Sequence, residues 1–316
     1  MAARLTRPAA LVLSASVARR YFLDGRSKLE IAEEFGLSRF KVARLLEAAR
    51  TSGLVRIEIG HKGLIDLDLS ARLQSAFGLR HAVVVDTDDD SADSLRKHLG
   101  QVAADLLAEI TGPDDVLGVA WSRSVGAMAR ALPRLAAVPV VQLTGAVSMP
   151  DGDDSSIDVV RDVARAAGGP AYVFYAPFTL PDAATARALR EQREVALAFA
   201  QLPRVTTAVM GVGLWAPGQS TLYDTVKEHD RRELRRLGVC AEVSGVFVTR
   251  DGTPVRTGLS DRMIGIDVEQ MRSIPEVVAI AYGTAKTPAV RAALRSGLVG
   301  GLVTHTSVAR TLLEEA

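Results

Sequence analysis

Apolar residues recur at helical spacing through the first sixty residues and predict three helices. The first spans about residues 11–23. The second, 28–35, begins at a capping box in which Ser27 and Glu30 exchange hydrogen bonds, and it ends at a glycine. The third follows an N-cap at Ser38. The predicted core faces are Leu11, Ala18, Tyr21 and Phe22 of the first helix, Ile31, Ala32 and Phe35 of the second, and Val42, Leu45, Leu46 and Ala49 of the third.

The junction between the second and third helices has the composition of a DNA-reading helix-turn-helix. Such a motif needs a small residue where the helices cross, a glycine in the turn and a branched residue that anchors the second helix. Ala32, Gly36 and Val42 fill these three places. When the apolar faces pack together, five residues of the third helix and its N-cap stay exposed and are expected to enter a major groove: Ser38, Arg39, Phe40, Lys41 and Arg44.

These exposed positions differ in what they offer to DNA. We assign Arg39 and Arg44 to base edges or phosphates, Lys41 to phosphate, and Phe40 to a thymine methyl group. Two other interpretations stay open. Any of these residues also suits a solvated helix face, and Phe40 suits the core if the helix phase is shifted by one position.

Charge is distributed unevenly along the chain. Residues 1–60 carry 11 Lys and Arg against 6 Asp and Glu, whereas the remaining 256 carry 27 against 31. A basic module joined to a mildly acidic one indicates that only the first faces a polyanion. Alternating residues at 54–59 also predict a strand, which would form a wing whose Arg56 touches the DNA backbone.

The rest of the chain alternates short apolar runs with helical stretches. Residues 61–78 predict an amphipathic linker helix between a DNA-binding domain over 1–60 and an effector-binding and oligomerisation domain over 79–316. The predicted strands are 82–85, 116–120, 138–143, 172–175, 208–212, 246–248, 277–281 and 302–304, and the clearest helices are 94–110, 125–135, 182–199, 288–294 and 307–313. This alternation predicts an α/β, Rossmann-like domain with a mainly parallel sheet.

Two predicted strand-to-helix junctions have the chemistry of an anion site. In the first, the hydroxyls of Ser122 and Ser124 flank Arg123 at a helix start, where backbone amides and the helix dipole favour an anion. In the second, Lys286 follows a glycine turn and precedes a proline in the first helical turn. Because ligands bind at the carboxyl ends of parallel strands, both junctions are expected to hold one ligand. The plainer interpretation is an N-cap at Ser124 and solvated charges at the other two positions.

Several other classes of site are not favoured. The segment Gly211-Val212-Gly213 lacks a third glycine three residues on, so it is not a dinucleotide fingerprint, and no cofactor is expected. The five histidines have no metal-ligand spacing, and the acidic runs at 88–90 and 151–154 are typical of solvated loops. No apolar run reaches the roughly 20 residues of a membrane span. The single cysteine, Cys240, fits a reducing cytoplasm.

The order of these features resembles the SorC family of sugar-responsive bacterial regulators over nearly the whole chain. The resemblance rests on the helix-turn-helix and on four further segments: Trp121-Ser122-Arg123-Ser124, which is similar to the family's tryptophan-glycine-arginine-threonine loop, Gln142-Leu143-Thr144-Gly145, Gly211-Val212-Gly213, and the C-terminal block 238–313. Within that block, Glu242 matches the acidic residue that binds sugar hydroxyls. Lys286 matches the lysine that meets the ligand's phosphate or carbonyl.

The resemblance implies a fold related to sugar-phosphate isomerases and deaminases but without catalysis. It also implies dimers or tetramers on operator DNA and control of carbohydrate-uptake or catabolic genes. The pocket residues carried over by motif are Ser122, Arg123, Ser124, Gln142, Gly213, Glu242 and Lys286. The resemblance implies a phosphorylated sugar as the effector. Because Ser122 and Ala241 replace usual glycines and His305 a common aspartate, an unphosphorylated polyol or a sugar acid is the alternative.

Three alternatives remain beside this hypothesis. Ser122 to Gly126 misses a nucleophile elbow by one glycine, so an esterase that uses His305 is conceivable on sequence alone. A retained isomerase or deaminase activity is compatible with the fold. The third alternative is a constitutive DNA-binding protein whose second domain serves only to oligomerise it. Stabilisation by a ligand would distinguish the sensor from this last alternative.

Overall fold

The computed structural model describes residues 8–55, 64–87, 91–147 and 155–314. It divides into two compact units, Met1–Gly60 and His61–Ala316. The first unit contains three helices, which are α1 (Pro8–Phe22), α2 (Lys28–Phe35) and α3 (Arg39–Thr51). Strand residues are absent from the described part of this unit.

Local capping determines where α2 and α3 begin and end. The Ser27 hydroxyl accepts from the Glu30 amide at 3.3 Å, and the Glu30 carboxylate accepts from the Ser27 amide at 2.8 Å. Gly36 ends α2 in the left-handed region at φ 62°, which a residue with a Cβ rarely adopts. Ser38 then caps α3 by accepting from the Lys41 amide. The predicted capping box, turn glycine and N-cap are confirmed.

The core of the first unit differs from the prediction at α1. Its buried apolar residues are Val17, Ala18, Ile31, Ala32, Val42, Leu46 and Ala49. Leu11 and Phe22 lie near the two ends of α1 and are exposed by 40% and 36%, so their assignment to the core was wrong. The buried face of α1 instead includes Ser14 and Val17. Leu54 and Val55 form a bend, and the rest of the predicted wing, with Arg56, lies outside the described residues.

The second unit is built on a sheet in which seven strands are parallel in the order β1-β10-β9-β5-β2-β3-β4. The second half of β5 continues past the parallel sheet and pairs antiparallel with β6, to which β7 and β8 are added in turn. The strands are β1 (His81–Val85), β2 (Leu117–Val119), β3 (Val140–Gln142), β4 (Ala171–Tyr172), β5 (Thr207–Leu214), β6 (Val239–Val243), β7 (Val246–Thr249), β8 (Pro254–Val255), β9 (Glu276–Ile280) and β10 (Gly301–His305). The predicted mainly parallel α/β fold is confirmed.

Helices cover the second unit's sheet, and two large apolar clusters are built around its strands. The helices are α4 (Leu67–Phe77), α5 (Ala92–Ile110), α6 (Arg123–Ala131), α7 (Ser156–Ala167), α8 (Ala183–Arg190), α9 (Arg193–Phe199), α10 (Thr221–Thr225), α11 (Glu228–Arg236), α12 (Val268–Ser273), α13 (Thr287–Arg295) and α14 (Thr306–Glu314). The helix predicted over 182–199 is two helices, because Glu191 and Gln192 interrupt it. None of the described helices is both long and apolar enough to cross a lipid bilayer.

The helix predicted as a linker packs within the second unit. Leu69 and Leu73 of α4 are buried in the same cluster as Val84 of β1 and Leu312 of α14. The helix ends where Gly78 adopts φ 62°. The described part of the predicted linker, from residue 64 onward, therefore contributes to the core of the α/β unit.

Candidate functional site

The N-terminal part of α3 presents a cationic surface with one aromatic ring. Ser38, Arg39, Phe40, Lys41 and Arg44 are all exposed, as predicted from the helix phase. Phe40 is 83% exposed, which excludes the alternative that places it in the core. An exposed ring beside three cations is suited to contact with a polyanion that also carries apolar groups, such as the thymine methyl in a major groove.

A second surface of interest is an open cleft in the α/β unit. It encloses about 810 Å³, including space open to solvent, at the carboxyl ends of β2, β5 and β9 and beside the β6–β7 hairpin. Six of the seven predicted effector residues line it: Ser122, Arg123, Ser124, Gly213, Glu242 and Lys286. These residues are up to 164 positions apart in sequence, and the parallel sheet brings them together.

The start of α6 forms one wall of the cleft. Ser122 is the N-cap, and its Oγ accepts from the Val125 amide at 3.1 Å. The same oxygen lies 3.0 Å from Ser124 Oγ, which donates to the Ile280 carbonyl of β9 at 3.1 Å. Gly211 makes this arrangement possible, because a Cβ there would lie 2.7 Å from Ser122 Cβ. Ser122 therefore caps α6, and Ser124 joins the start of α6 to β9; both residues line the cleft.

Glu242 of β6 forms the opposite wall. Its Oε1 accepts from Ser220 Oγ at 2.9 Å, and its Oε2 accepts from the Gly245 amide at 3.0 Å. Gly213 pairs with Glu242 across the two strands, and a Cβ on Gly213 would lie 2.3 Å from Oε1. The glycine is therefore required for the carboxylate to occupy this position. Both carboxylate oxygens retain lone pairs that can accept from ligand hydroxyls.

The cleft places an acidic and a basic side chain, both partly buried, within reach of each other's charge. Burial raises the pKa of Glu242 against the opposing effect of its two hydrogen bonds and of Lys286. Burial also lowers the pKa of Lys286, with Glu242 opposing and Arg123 reinforcing that shift. The Lys286 ammonium lies 5.6 Å from the centre of the Tyr282 ring. Because burial disfavours the charged form of both groups, a polar ligand that hydrogen bonds to them would offset part of that cost.

Gln142 is the one predicted effector residue that the structure does not bring to the cleft. Its side chain is buried, with Nε2 donating to the Thr144 carbonyl at 2.8 Å and Oε1 accepting from the Phe174 amide at 3.1 Å. The amide thus links β3 to the chain that follows β4. In this structure Gln142 does not line the cleft, and its amide group hydrogen bonds within the fold.

Ser220, Tyr282 and Ser244 are among the cleft residues that the sequence did not predict as effector contacts. Ser220 holds Glu242 from 22 positions away, and Tyr282 lies next to Lys286 on the same wall. Ser244 occupies the turn of the β6–β7 hairpin. The short alternating run at 239–243, followed by Ser-Gly and a second apolar run, is a hairpin pattern that would have placed Ser244 beside Glu242.

We expect Gly213→Ala to lower the free energy of unfolding by about 1–3 kcal/mol, because the added methyl group overpacks the contact with Glu242. Urea denaturation of the full-length protein measures this difference. Gly258→Ala is the matched control, since nothing lies within 4 Å of a Cβ at that position. Equal stabilities for the two variants would show that Glu242 moves away without cost.

Comparisons with known proteins agree with this architecture. A family model described as "Putative sugar-binding domain" matches residues 63–314. The chain is 29% identical over 298 residues to the erythritol catabolism regulatory protein EryD of Brucella abortus, covering 93% of each protein. It is 27% identical over 303 residues to the uncharacterized transcriptional regulator YjhU of Escherichia coli, covering 93% of this chain and 92% of that protein.

Solved structures show the same fold. The full-length sorbitol operon regulator SorC from Klebsiella pneumoniae aligns with a TM-score of 0.73 at 22% identity, covering 96% of this chain and 99% of that chain. A DeoR family transcriptional regulator from Listeria monocytogenes aligns with a TM-score of 0.71 at 26% identity, covering 78% of this chain and 98% of that chain. The match over residues 63–314 and the full-length relatives together establish that the chain belongs to the SorC family of sugar-binding transcriptional regulators.

Proposed function

We propose that this protein regulates genes of carbohydrate or polyol metabolism by binding operator DNA through α3 and a small effector in the cleft. The observation that carries the proposal is the convergence of Glu242, Lys286 and Arg123 on one cleft, in a chain that also presents Arg39, Lys41, Arg44 and Phe40 on an exposed recognition helix. Relatives named for erythritol catabolism and for a sorbitol operon support the effector class.

The cleft has distinct groups for two parts of an effector. The Glu242 carboxylate accepts hydrogen bonds and therefore suits sugar or polyol hydroxyls. Lys286 and Arg123 are close enough for their charges to interact, and together they suit a phosphate or carboxylate. An effector with several hydroxyls and an anionic group at one end uses all three residues.

We infer that regulation is a linkage between the two surfaces in a dimer or tetramer. Effector binding would change the relative orientation of protomers, and so how a pair of α3 helices fits two half-sites of the operator. The protein would act in the cytoplasm, where Cys240 stays reduced.

Catalysis is not part of the proposal. The Ser124 hydroxyl, at the position where an esterase of this pattern has its nucleophile, donates to the Ile280 carbonyl and lies 3.0 Å from Ser122 Oγ, which is a structural use of that group. His305 Nε2 accepts from the Gly283 amide at 3.1 Å, so this nitrogen is occupied and unsuited to act as a general base. The two relatives described above are named as regulators, which supports a regulatory role.

A thermal-shift screen tests the effector part of the proposal. Phosphorylated sugars and polyols are compared with the corresponding free compounds on the purified full-length protein. An effector present at 100 times its Kd should stabilise the folded protein by about 2.7 kcal/mol. If no compound in either series raises Tm, the second unit is better explained as an oligomerisation domain.

A further inference from the structure

The β6–β7 hairpin contains a residue in an unfavourable backbone conformation. Val243 and Val246 pair across it, which leaves Ser244 and Gly245 as a two-residue turn. Their φ values are 51° and 90°, as a type I′ turn requires. Among the described residues, Ser244 is the one non-glycine with positive φ. Asparagine and glycine are the residues favoured in such a turn, so serine carries a conformational cost at this position.

The Ser244 side chain is a second feature that destabilises the folded protein. Its hydroxyl is buried and has no hydrogen-bond partner, although the residue lines the cleft. The residue as a whole is 9% exposed. A buried hydroxyl without a partner destabilises the folded state, because it loses water and gains nothing in return. Two unfavourable features on one residue point to a role that the unliganded protein does not use.

The surroundings hold the turn in place. The Gly245 amide donates to Glu242 Oε2, so the turn that presents Ser244 also positions the carboxylate. A Cβ on Gly245 would lie 2.5 Å from Met263 Cε and 2.7 Å from Phe178 Cζ. This close packing leaves the turn little freedom to relax, and it holds Ser244, one of the residues that line the cleft, in its positive-φ conformation.

We propose that Ser244 determines effector specificity by hydrogen bonding to one hydroxyl of the effector while Glu242 accepts from another. The effector is accordingly a polyhydroxylated compound that presents at least two hydroxyl groups to the hairpin. The inference rests on the proposed function of the cleft. It adds a contact through which the protein distinguishes polyols from ligands that lack the second hydroxyl.

Two substitutions separate the effect of the Ser244 hydroxyl from the effect of its backbone conformation. Ser244→Gly removes the hydroxyl and also relieves the positive φ, so Tm of the unliganded protein should rise. Ser244→Ala removes the hydroxyl but keeps a Cβ at positive φ, so it should not give the same rise. Both variants should bind effector about tenfold or more weakly, because each leaves a ligand hydroxyl without its buried partner.

The probes are D-sorbitol, erythritol and their monophosphates, tested by thermal shift and calorimetry on the full-length protein. Weaker binding by both variants, with a higher unliganded Tm for Ser244→Gly, supports the proposal. If wild type binds a probe and both variants bind it equally well, the role of Ser244 is refuted while the cleft remains the effector site. A lower Tm for Ser244→Gly would assign the hydroxyl a structural role and refute the inference. Failure of wild type to bind any probe contradicts the proposed polyol class itself.

Discussion

Replacement of Arg39 by alanine should weaken binding to promoter-region DNA by about tenfold or more at fixed salt, because one good base-edge contact contributes about 1–3 kcal/mol. The effector-induced rise in Tm should be unchanged. Arg39 is exposed in the first turn of α3 and has no packing role, so the variant should fold like the wild type. Fluorescence anisotropy with a labelled duplex measures the affinity.

Arg50→Ala is the matched control for this experiment. Arg50 is also exposed, but it lies in the last turn of α3, away from the predicted groove-facing positions. Both substitutions remove one positive charge, so a general electrostatic effect would weaken binding equally. Equal losses for Arg39 and Arg50 would refute the assignment of the N-terminal part of α3 to the major groove.

Lys286→Met should reduce effector binding about 100-fold and leave DNA binding unchanged, which is the reverse of the result expected for Arg39→Ala. A loss of this size is expected when one partner of a buried charged contact is removed. Methionine preserves most of the side-chain length without the charge. Calorimetry with the effector found by screening measures binding, and anisotropy with the same duplex measures DNA affinity.

The same variant should be more stable than wild type without ligand at neutral pH. Burial lowers the pKa of Lys286, so the folded state disfavours the protonated amine relative to the unfolded state. The resulting cost is present at neutral pH and disappears as pH rises past the ordinary lysine value. The stability gain of Lys286→Met should therefore shrink at high pH.

Lys227→Met controls for the loss of a lysine elsewhere in the same unit. Lys227 is exposed at the start of α11 and makes no capping hydrogen bond through its side chain. It should change neither effector binding nor stability appreciably. If Lys286→Met reduced DNA binding and effector binding equally, the division of roles between the two surfaces would be wrong.

The first unit could be predicted in detail because its determinants are local. The capping box at Ser27, the turn glycine and the N-cap at Ser38 lie within twelve positions and act through neighbouring backbone groups. Which end residues of α1 reach the core depends instead on how three helices pack. That is why Leu11 and Phe22 were assigned wrongly.

The spacing of apolar residues did not predict α11, because that helix has little apolar surface. Helix α11, with the sequence EHDRRELRR, buries only Asp230 and Leu234, so no apolar stripe marks it. Asp230 is held by an ion pair with Arg262, which sequence spacing does not reveal. Helix α7 was missed for a different reason. It has a full apolar face and begins at a capping box formed by Ser155 and Asp158, but its first residues follow an acidic run that is typical of a loop.

The cleft illustrates the same division between local and long-range information. Ser122, Arg123 and Lys286 were found because helix starts after strands have a recognisable chemistry. The contacts that hold Glu242 come from Ser220 and from the close approach of Gly213, and both depend on strand pairing. Sequence alone did not place Gln142, because a polar residue at a strand end is equally suited to bridging backbone groups, as it does here.

Titration of the full-length protein with duplex DNA from the region beside its own gene, at several salt concentrations, tests DNA binding by this chain most directly. Binding through the α3 cations should weaken as salt rises, with a slope in the log–log plot of about 0.9 per phosphate contacted. Arg39→Ala should bind more weakly at every salt concentration. Absence of any salt-sensitive affinity for the duplex would contradict the assignment of this chain as a DNA-binding regulator.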